Sequence, residues 1–289
     1  MTASLVEDEL DLAPLQGFDL QDAHVNGHAN GHANGVARRR DEFALSEVAT
    51  FLSSPMVSTG FGHGGAAVAS GALAPSLAPA FPLPHAPHGL YAQAGKRALD
   101  IAGGLLALVA AGPMILLGAL AVRLTSRGPA FYKSTRLGKS GRPFTFYKLR
   151  SMYVGADAER ANLMHMNEAD GPVFKIARDP RVTRVGQWMR STSIDELPQL
   201  LNVLKGDMSL VGPRPPLPEE ADKYEAWQRR RLDVKPGITC LWQVSGRSRL
   251  GFDEWMRLDL EYIRRQSLAT DVWILVRTVP AVISREGAY

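Results

Sequence analysis

The chain has 289 residues, 33 basic against 29 acidic side chains, 45% hydrophobic residues and one cysteine, Cys240. That excludes an intrachain disulfide framework and a cysteine-based zinc cluster, and the length allows one or two domains with ample core. The formal charge of +4 joins two unlike parts: residues 1–95 hold 9 acidic and 3 basic side chains, a balance of −6, and residues 96–289 hold 20 and 30, a balance of +10. The second part is basic enough to favour an anionic partner such as nucleic acid, phosphates or a membrane surface.

Residues 1–95 read as a disordered low-complexity tail. Asn26 to Gly35 is an imperfect repeat, NGHANGHANG, and Gly60 to Gly89 is rich in glycine, alanine and proline; neither buries enough apolar surface to offset its ordering entropy. His24, His28 and His32 would share a helical face, but the intervening Asn-Gly pairs oppose a helix. Gly60, Gly62 and Gly65 match a dinucleotide-binding spacing by letter only, since no strand pattern leads into them. The acidic first residues lack the apolar run of a signal peptide.

Ile101 to Val122 carries no charge over 22 residues, about 33 Å as a helix against a hydrocarbon core of about 30 Å. Lys96 and Arg97 precede it and Arg123 and Arg127 follow it, so both ends carry the cytoplasmic charge signature. Gly112-Pro113 sits past its centre, where proline removes a helical hydrogen bond. Two readings stay open: a re-entrant hairpin that dips into one leaflet, or a kinked span.

From Pro129 the chain turns polar. Ala130–Lys133 and Pro143–Leu149 alternate about the turn sequence LGKSGR and predict a β-hairpin. Asp179-Pro180 offers an N-cap and first residue for a helix through Val182, Val185 and Met189. A second helix starts near Ser193, with Ser193 and Glu196 at capping-box spacing, and runs to Leu204. A third begins at Pro218 and ends in Arg229, Arg230 and Arg231, whose charges suit the helix dipole. Asp271 to Ile283 is apolar but too short to span, which suits an interfacial or core helix. No alternation of strands with crossover helices appears, which disfavours a doubly wound sheet.

Three clusters could carry chemistry. Asp195-Glu196 lies five residues after Arg190; one ionised carboxylate can attack phosphorus while its neighbour holds a magnesium ion. Pro213-Arg214-Pro215 fixes the backbone on both sides of a guanidinium suited to bidentate phosphate contact. Lys235 to Arg247 joins turn residues to Trp242, Gln243 and Arg247.

With the stretches KRALDI (96–101), FYKLRSM (146–152), RSTSIDELPQLLNVLKGDMSLVGPRP (190–215), KPGIT and WQVSGR (235–247), the chain from Lys96 to about Ile283 resembles the bacterial sugar transferases. These are monotopic polyprenyl-phosphate phosphoglycosyl transferases, and it is most like the short exopolysaccharide galactose phosphotransferases among them. The resemblance implies a mostly helical α+β fold: a re-entrant membrane helix hairpin over 96–127, then a small cytoplasmic catalytic domain over 128–289 with interfacial helices and a short β-hairpin. It implies Asp195 as nucleophile, Glu196 as ligand of Mg2+, and substrate contacts from Lys148, Arg190, Pro213, Arg214, Pro215, Gln243 and Arg247. The implied partners are a nucleotide sugar, UDP-linked, polyprenyl phosphate and the membrane, with a homo-oligomer open and no nucleic acid. The implied place is the cytoplasmic face of a bacterial inner membrane. Relatives often carry Ser-Pro at the helix break where this chain has Gly112-Pro113. A membrane-anchored basic adaptor without catalysis is the alternative, but it gives Asp195-Glu196 no task. A conventional glycosyltransferase would favour a D-x-D metal motif, which the sequence lacks.

Overall fold

A computed structural model describes residues 89–246 and 250–284, all within Asp41–Tyr289, one of two units into which the chain divides. Residues 1–88 of the expected tail, with His24, His28, His32 and Gly60, lie outside the described residues, as does Arg247, whereas Tyr91–Gly95, expected to belong to the tail, is helical. The architecture is mostly helical with two small sheets.

A π-helical turn, Tyr91–Gly95, leads into the 30-residue helix α1, Lys96–Thr125, which contains Pro113. Helical backbone thus starts ahead of Lys96. Lys96, Asp100, Gly104, Ala111, Ile115, Gly118 and Val122 are its buried residues, a stride of three and four that keeps one face on the body from end to end. The opposite face exposes Leu105, Leu106, Val109, Leu116, Leu117, Leu120 and Leu124.

Polar ties fix the start of α1. Lys96 Nζ donates to Asp271 Oδ2 at 2.6 Å and to the Val211 carbonyl at 2.9 Å. Asp271 also accepts from Tyr262 at 2.9 Å and from Tyr91. Asp100 accepts from Ser209 Oγ at 2.7 Å and the Leu210 amide at 2.9 Å. Farther along, a Cβ on Gly118 would stand 2.7 Å from Leu149 and 3.6 Å from both Ile194 and Met189, so only glycine lets the helix approach this closely.

The hairpin forms as the alternation predicts, with a longer first strand: β1, Phe131–Leu137, pairs antiparallel with β2, Pro143–Leu149. Three other expectations need correction. The helix expected at Asp179-Pro180 is α2, Arg184–Ser191, capped by Thr183, whose hydroxyl accepts the Gly186 amide at 2.9 Å. Asp179 instead binds its carboxylate to the Arg181 guanidinium at 2.6 Å. The segment after Ser193 opens as a 3-10 turn, Ile194–Gln199, before α3, Leu200–Lys205. Pro198 has no amide for the Ile194 carbonyl, and Ser193 makes no capping bond with its side chain. The helix expected from Pro218 stops after one turn as α4, Pro218–Ala221, and Arg229–Arg231 fall in a separate 3-10 turn, Gln228–Asp233. There Arg231 is buried against Asp259 at 2.6 Å, so a tertiary ion pair replaces the helix-dipole role.

Strands β3, Ser209–Val211, and β4, Gly237–Thr239, pair in parallel, followed by α5, Leu241–Ser245, α6, Phe252–Arg264, and α7, Leu268–Ser284. Helix α7 takes up the apolar C-terminal segment. It buries Thr270, Asp271 and Ile274 and exposes Leu268, Val272, Val276, Val279 and Ile283. One core unites the buried face of α1 with Leu149, Met189, Ile194, Val203, Val211, Leu241 and Ile274.

Candidate active site

A cavity of about 850 Å³ opens beside the hairpin, within the size range of ligand pockets. Lys148, Arg190, Asp195, Glu196, Arg214, Pro215 and Gln243 line it, drawing the three sequence clusters together. Pro213 does not line it; its carbonyl accepts the Gly237 amide at 2.9 Å and so anchors the turn that presents Arg214. A Cβ on Gly237 would lie 2.1 Å from the Gly212 amide nitrogen, so these two backbones touch only because no side chain intervenes.

Asp195 and Glu196 follow Ser193, whose φ of 57° is left-handed, a conformation that costs a non-glycine residue about 1–2 kcal/mol. That reversal lets α2 end and the 3-10 turn begin within two residues. Asp195 is 4% exposed. Ile194, beside it, packs under Gly118 of α1, as does Leu149, beside Lys148. The floor of the carboxylate pair is thus the face of the long apolar helix.

Lys148 Nζ lies 2.6 Å from Glu196 Oε1 and 3.8 Å from Asp195 Oδ2, and Arg214 Nη1 lies 3.7 Å from the same Glu196 oxygen. Arg190 is steered by a bond from its Nε to Ser151 Oγ at 3.1 Å. Burial pushes the Asp195 carboxyl above its ordinary value, with Lys148 opposing and Glu196 adding to the rise. Burial also pushes on Glu196, but Lys148 and Arg214 outweigh it and hold that carboxyl down at about 2. Adjacent carboxylates in different surroundings are thereby set apart, one hard to ionise and one always ionised.

Arg231 supports the Arg214 turn from behind. It donates to Asp259 Oδ2 at 2.6 Å, Tyr224 Oη at 2.8 Å and the Arg214 carbonyl at 3.0 Å. Tyr132, Ser134, Arg136 and Ser151 also line the cavity, although none is among the residues expected from sequence. For Tyr132, Ser134 and Arg136 the signal is the two-residue period of β1, of which they are the half-buried members; Ser151 lies beyond β2.

Among the described residues no three metal-ligating side chains cluster. The adjacent carboxylates Asp195 and Glu196 are oxygen donors of the kind a magnesium ion takes together with water.

Residues 91–285 match the family described as bacterial sugar transferase. The chain is 46% identical over 194 residues to galactosyl transferase CpsE of Streptococcus agalactiae, covering 67% of this chain and 43% of that protein. It is 43% identical over 224 residues to the UDP-glucose:undecaprenyl-phosphate glucose-1-phosphate transferase of Caulobacter vibrioides, covering 74% of this chain and 78% of that one. It is 37% identical over 198 residues to the exopolysaccharide production protein ExoY of Sinorhizobium fredii, covering 67% and 88%. The chain thus spans less than half of the streptococcal relative and most of the other two.

Proposed function

The chain belongs to the bacterial sugar transferase family, and from that premise we propose that it moves a sugar-1-phosphate from a UDP-sugar to undecaprenyl phosphate. The sugar is galactose or glucose, and the step is the first membrane reaction of exopolysaccharide assembly, at the cytoplasmic face of the inner membrane. The names of the relatives support the reaction class. The observation that carries the reading is a buried carboxylate, Asp195, beside an ionised one, in a cavity with Lys148, Arg190 and Arg214 on its wall.

In this reading Asp195 attacks the β-phosphorus of the nucleotide sugar. An Oδ–P bond forms, the bridging P–O bond breaks, and nucleoside monophosphate leaves with the bond's electron pair. The lipid phosphate then attacks the same phosphorus, frees the Asp195 carboxylate and yields the polyprenyl-diphosphate sugar. Arg190 and Arg214 are placed for charge on the transferring phosphoryl group. Lys148 keeps Glu196 ionised and favours the ionised form of Asp195. Glu196 would hold Mg2+, which neutralises phosphate oxygens when bound.

Helix α1 runs unbroken through Gly112-Pro113, without the two arms expected of a hairpin, and in this scheme it lies at the membrane as one dipping helix. Lys96 at one end and Gly118 and Val122 near the other all pack on the same body. A perpendicular span would carry part of that body into the hydrocarbon, whereas a dipping helix presents its exposed leucines to lipid and keeps the cavity at the surface.

The deciding experiment omits the lipid acceptor. A burst of about one nucleoside monophosphate per site is expected, with a phosphosugar adduct on the peptide containing Asp195 by mass spectrometry. Asp195→Asn should abolish both. A requirement for both substrates before any monophosphate appears, with no adduct under any quench, would refute the covalent route.

A further inference from the structure

Strand β1 alternates in exposure: Phe131, Lys133 and Thr135 are exposed, with Phe131 and Lys133 at the cavity edge, while Tyr132, Ser134 and Arg136 are half-buried. The register sets Tyr132 opposite Lys148, Ser134 opposite Phe146 and Arg136 opposite Phe144. Ser134, Arg136 and Lys148 therefore share one face of the hairpin, and all three line the cavity.

Two atoms on this face have no structural use. Ser134 Oγ and Arg136 Nε are shielded from water and find no hydrogen-bond partner among the described residues. Leaving such groups unmatched costs about 1–3 kcal/mol each, and folded proteins keep few of them. The Arg136 guanidinium is nevertheless held in place: one Nη donates to the Pro215 carbonyl at 3.2 Å, and the group lies 5.4 Å from the Phe146 ring centre. Among the described residues no carboxylate comes within ion-pair distance of it, whereas Arg214 reaches Glu196. Burial first and the Arg214 charge second lower the Arg136 pKa to about 10, with Glu220 and Glu196 opposing. A half-buried cation that feels a second cation, with one N–H and one hydroxyl shielded and unmatched, is a costly arrangement for structure alone. A phosphate between the two guanidiniums relieves the repulsion and satisfies both atoms.

We propose that Ser134 and Arg136 form a second phosphate-binding station in the cavity, separate from Asp195 and Glu196, for the substrate phosphate that is not transferred. The proposal rests on the phosphoglycosyl transfer reading. Two sources share this chemistry: the nucleotide's α-phosphate and the phosphate of the polyprenyl acceptor. Ser134 supplies a short neutral donor and Arg136 a planar fork, so the station recognises phosphate oxygens and leaves sugar and base to other walls.

The test measures equilibrium binding to the full chain in lipid nanodiscs. The probes are uridine monophosphate, uridine as the phosphate-free control, and a short-chain polyprenyl phosphate. Arg136→Gln should weaken binding of one phosphate probe about tenfold and Ser134→Ala about threefold, the loss of one or two charge-assisted hydrogen bonds. Uridine affinity should not change. Ser134→Ala removes an unmatched hydroxyl, so its thermal midpoint should equal or exceed that of the parent, which separates binding from folding. A loss confined to uridine monophosphate assigns the station to the nucleotide; a loss confined to polyprenyl phosphate assigns it to the lipid. Wild-type affinity for both phosphates in Ser134→Ala, with Arg136→Gln altering stability alone, overturns the proposal. A parent protein that releases no monophosphate from any nucleotide sugar, yet binds phosphate through these two residues, overturns the transfer reading and leaves the station standing.

Discussion

Lys148 Nζ stands 2.6 Å from Glu196 and 3.8 Å from Asp195, so one ammonium sets the ionisation of both. Burial raises the Asp195 carboxyl above 3.8, and a nucleophilic carboxylate must be ionised. Transfer should therefore fall, as the pH drops, at a point above the ordinary aspartate range. Lys148→Met removes the cation that opposes this rise, so the acid limb of kcat/KM should move to higher pH as well as drop in height. A pH–rate profile checks it; an unmoved limb would mean that Lys148 does not govern Asp195. Glu196 has the opposite sign. Its pKa is depressed to about 2 from 4.5, so its ionisation favours the folded state above the ordinary glutamate range, and that contribution is lost as pH falls toward 2.

At the scale of elements, α1 is both apolar surface and core wall. Gly118 lets it rest on Leu149 and Ile194, the neighbours of Lys148 and Asp195. Gly118→Val places methyl groups where a Cβ alone already meets Leu149 at 2.7 Å. Overpacking of this kind costs about 1–3 kcal/mol, and here the backbone carrying the carboxylate pair must yield. The variant should lose about tenfold or more in kcat while still partitioning with membranes. Full activity in that fraction would show that the contact has no bearing on the site.

The elements differ in how far sequence reveals them. The hairpin is legible because LGKSGR punctuates two alternating runs, and α1 because 22 uncharged residues stand alone. The starts of α2 and of the turn at Ile194 are not: Thr183 caps in place of Asp179, and Pro198 forces a 3-10 turn where capping-box spacing suggests an α-helix. Strands β3 and β4 hold three residues each, too few for a period to show. Helix α6, with Phe252, Met256, Leu260 and Ile263 buried, has a helical spacing yet follows a Gly- and Arg-rich stretch that draws attention to loops. In the site, motif residues are legible from their company, while Ser134 and Arg136 need the strand register before they share a face with Lys148.

For the molecule as a whole, every described residue that lines the cavity lies at or after Pro129, and α1 contributes its buried face to the core. Removing residues 1–88 should leave transfer in membranes within a few-fold of the parent, measured as nucleoside monophosphate release. A folded but inactive truncation would assign those residues a part in the reaction.

The ion pair that ties the start of α1 to the body also sets an order in time. Lys96 and Asp271 are 175 residues apart, an interval of about 9–35 s at ribosomal rates of about 5–20 residues per second. The helix is therefore made long before its counter-ion exists, and until then Lys96 carries its charge without this partner. Docking through this pair waits until Asp271 has been made. Ribosome-stalled chains ending before Asp271 should hold α1 at the membrane while the body stays open to protease, and chains extended beyond Ser284 should become resistant. Equal resistance in both would show that the Lys96–Asp271 pair does not close the body.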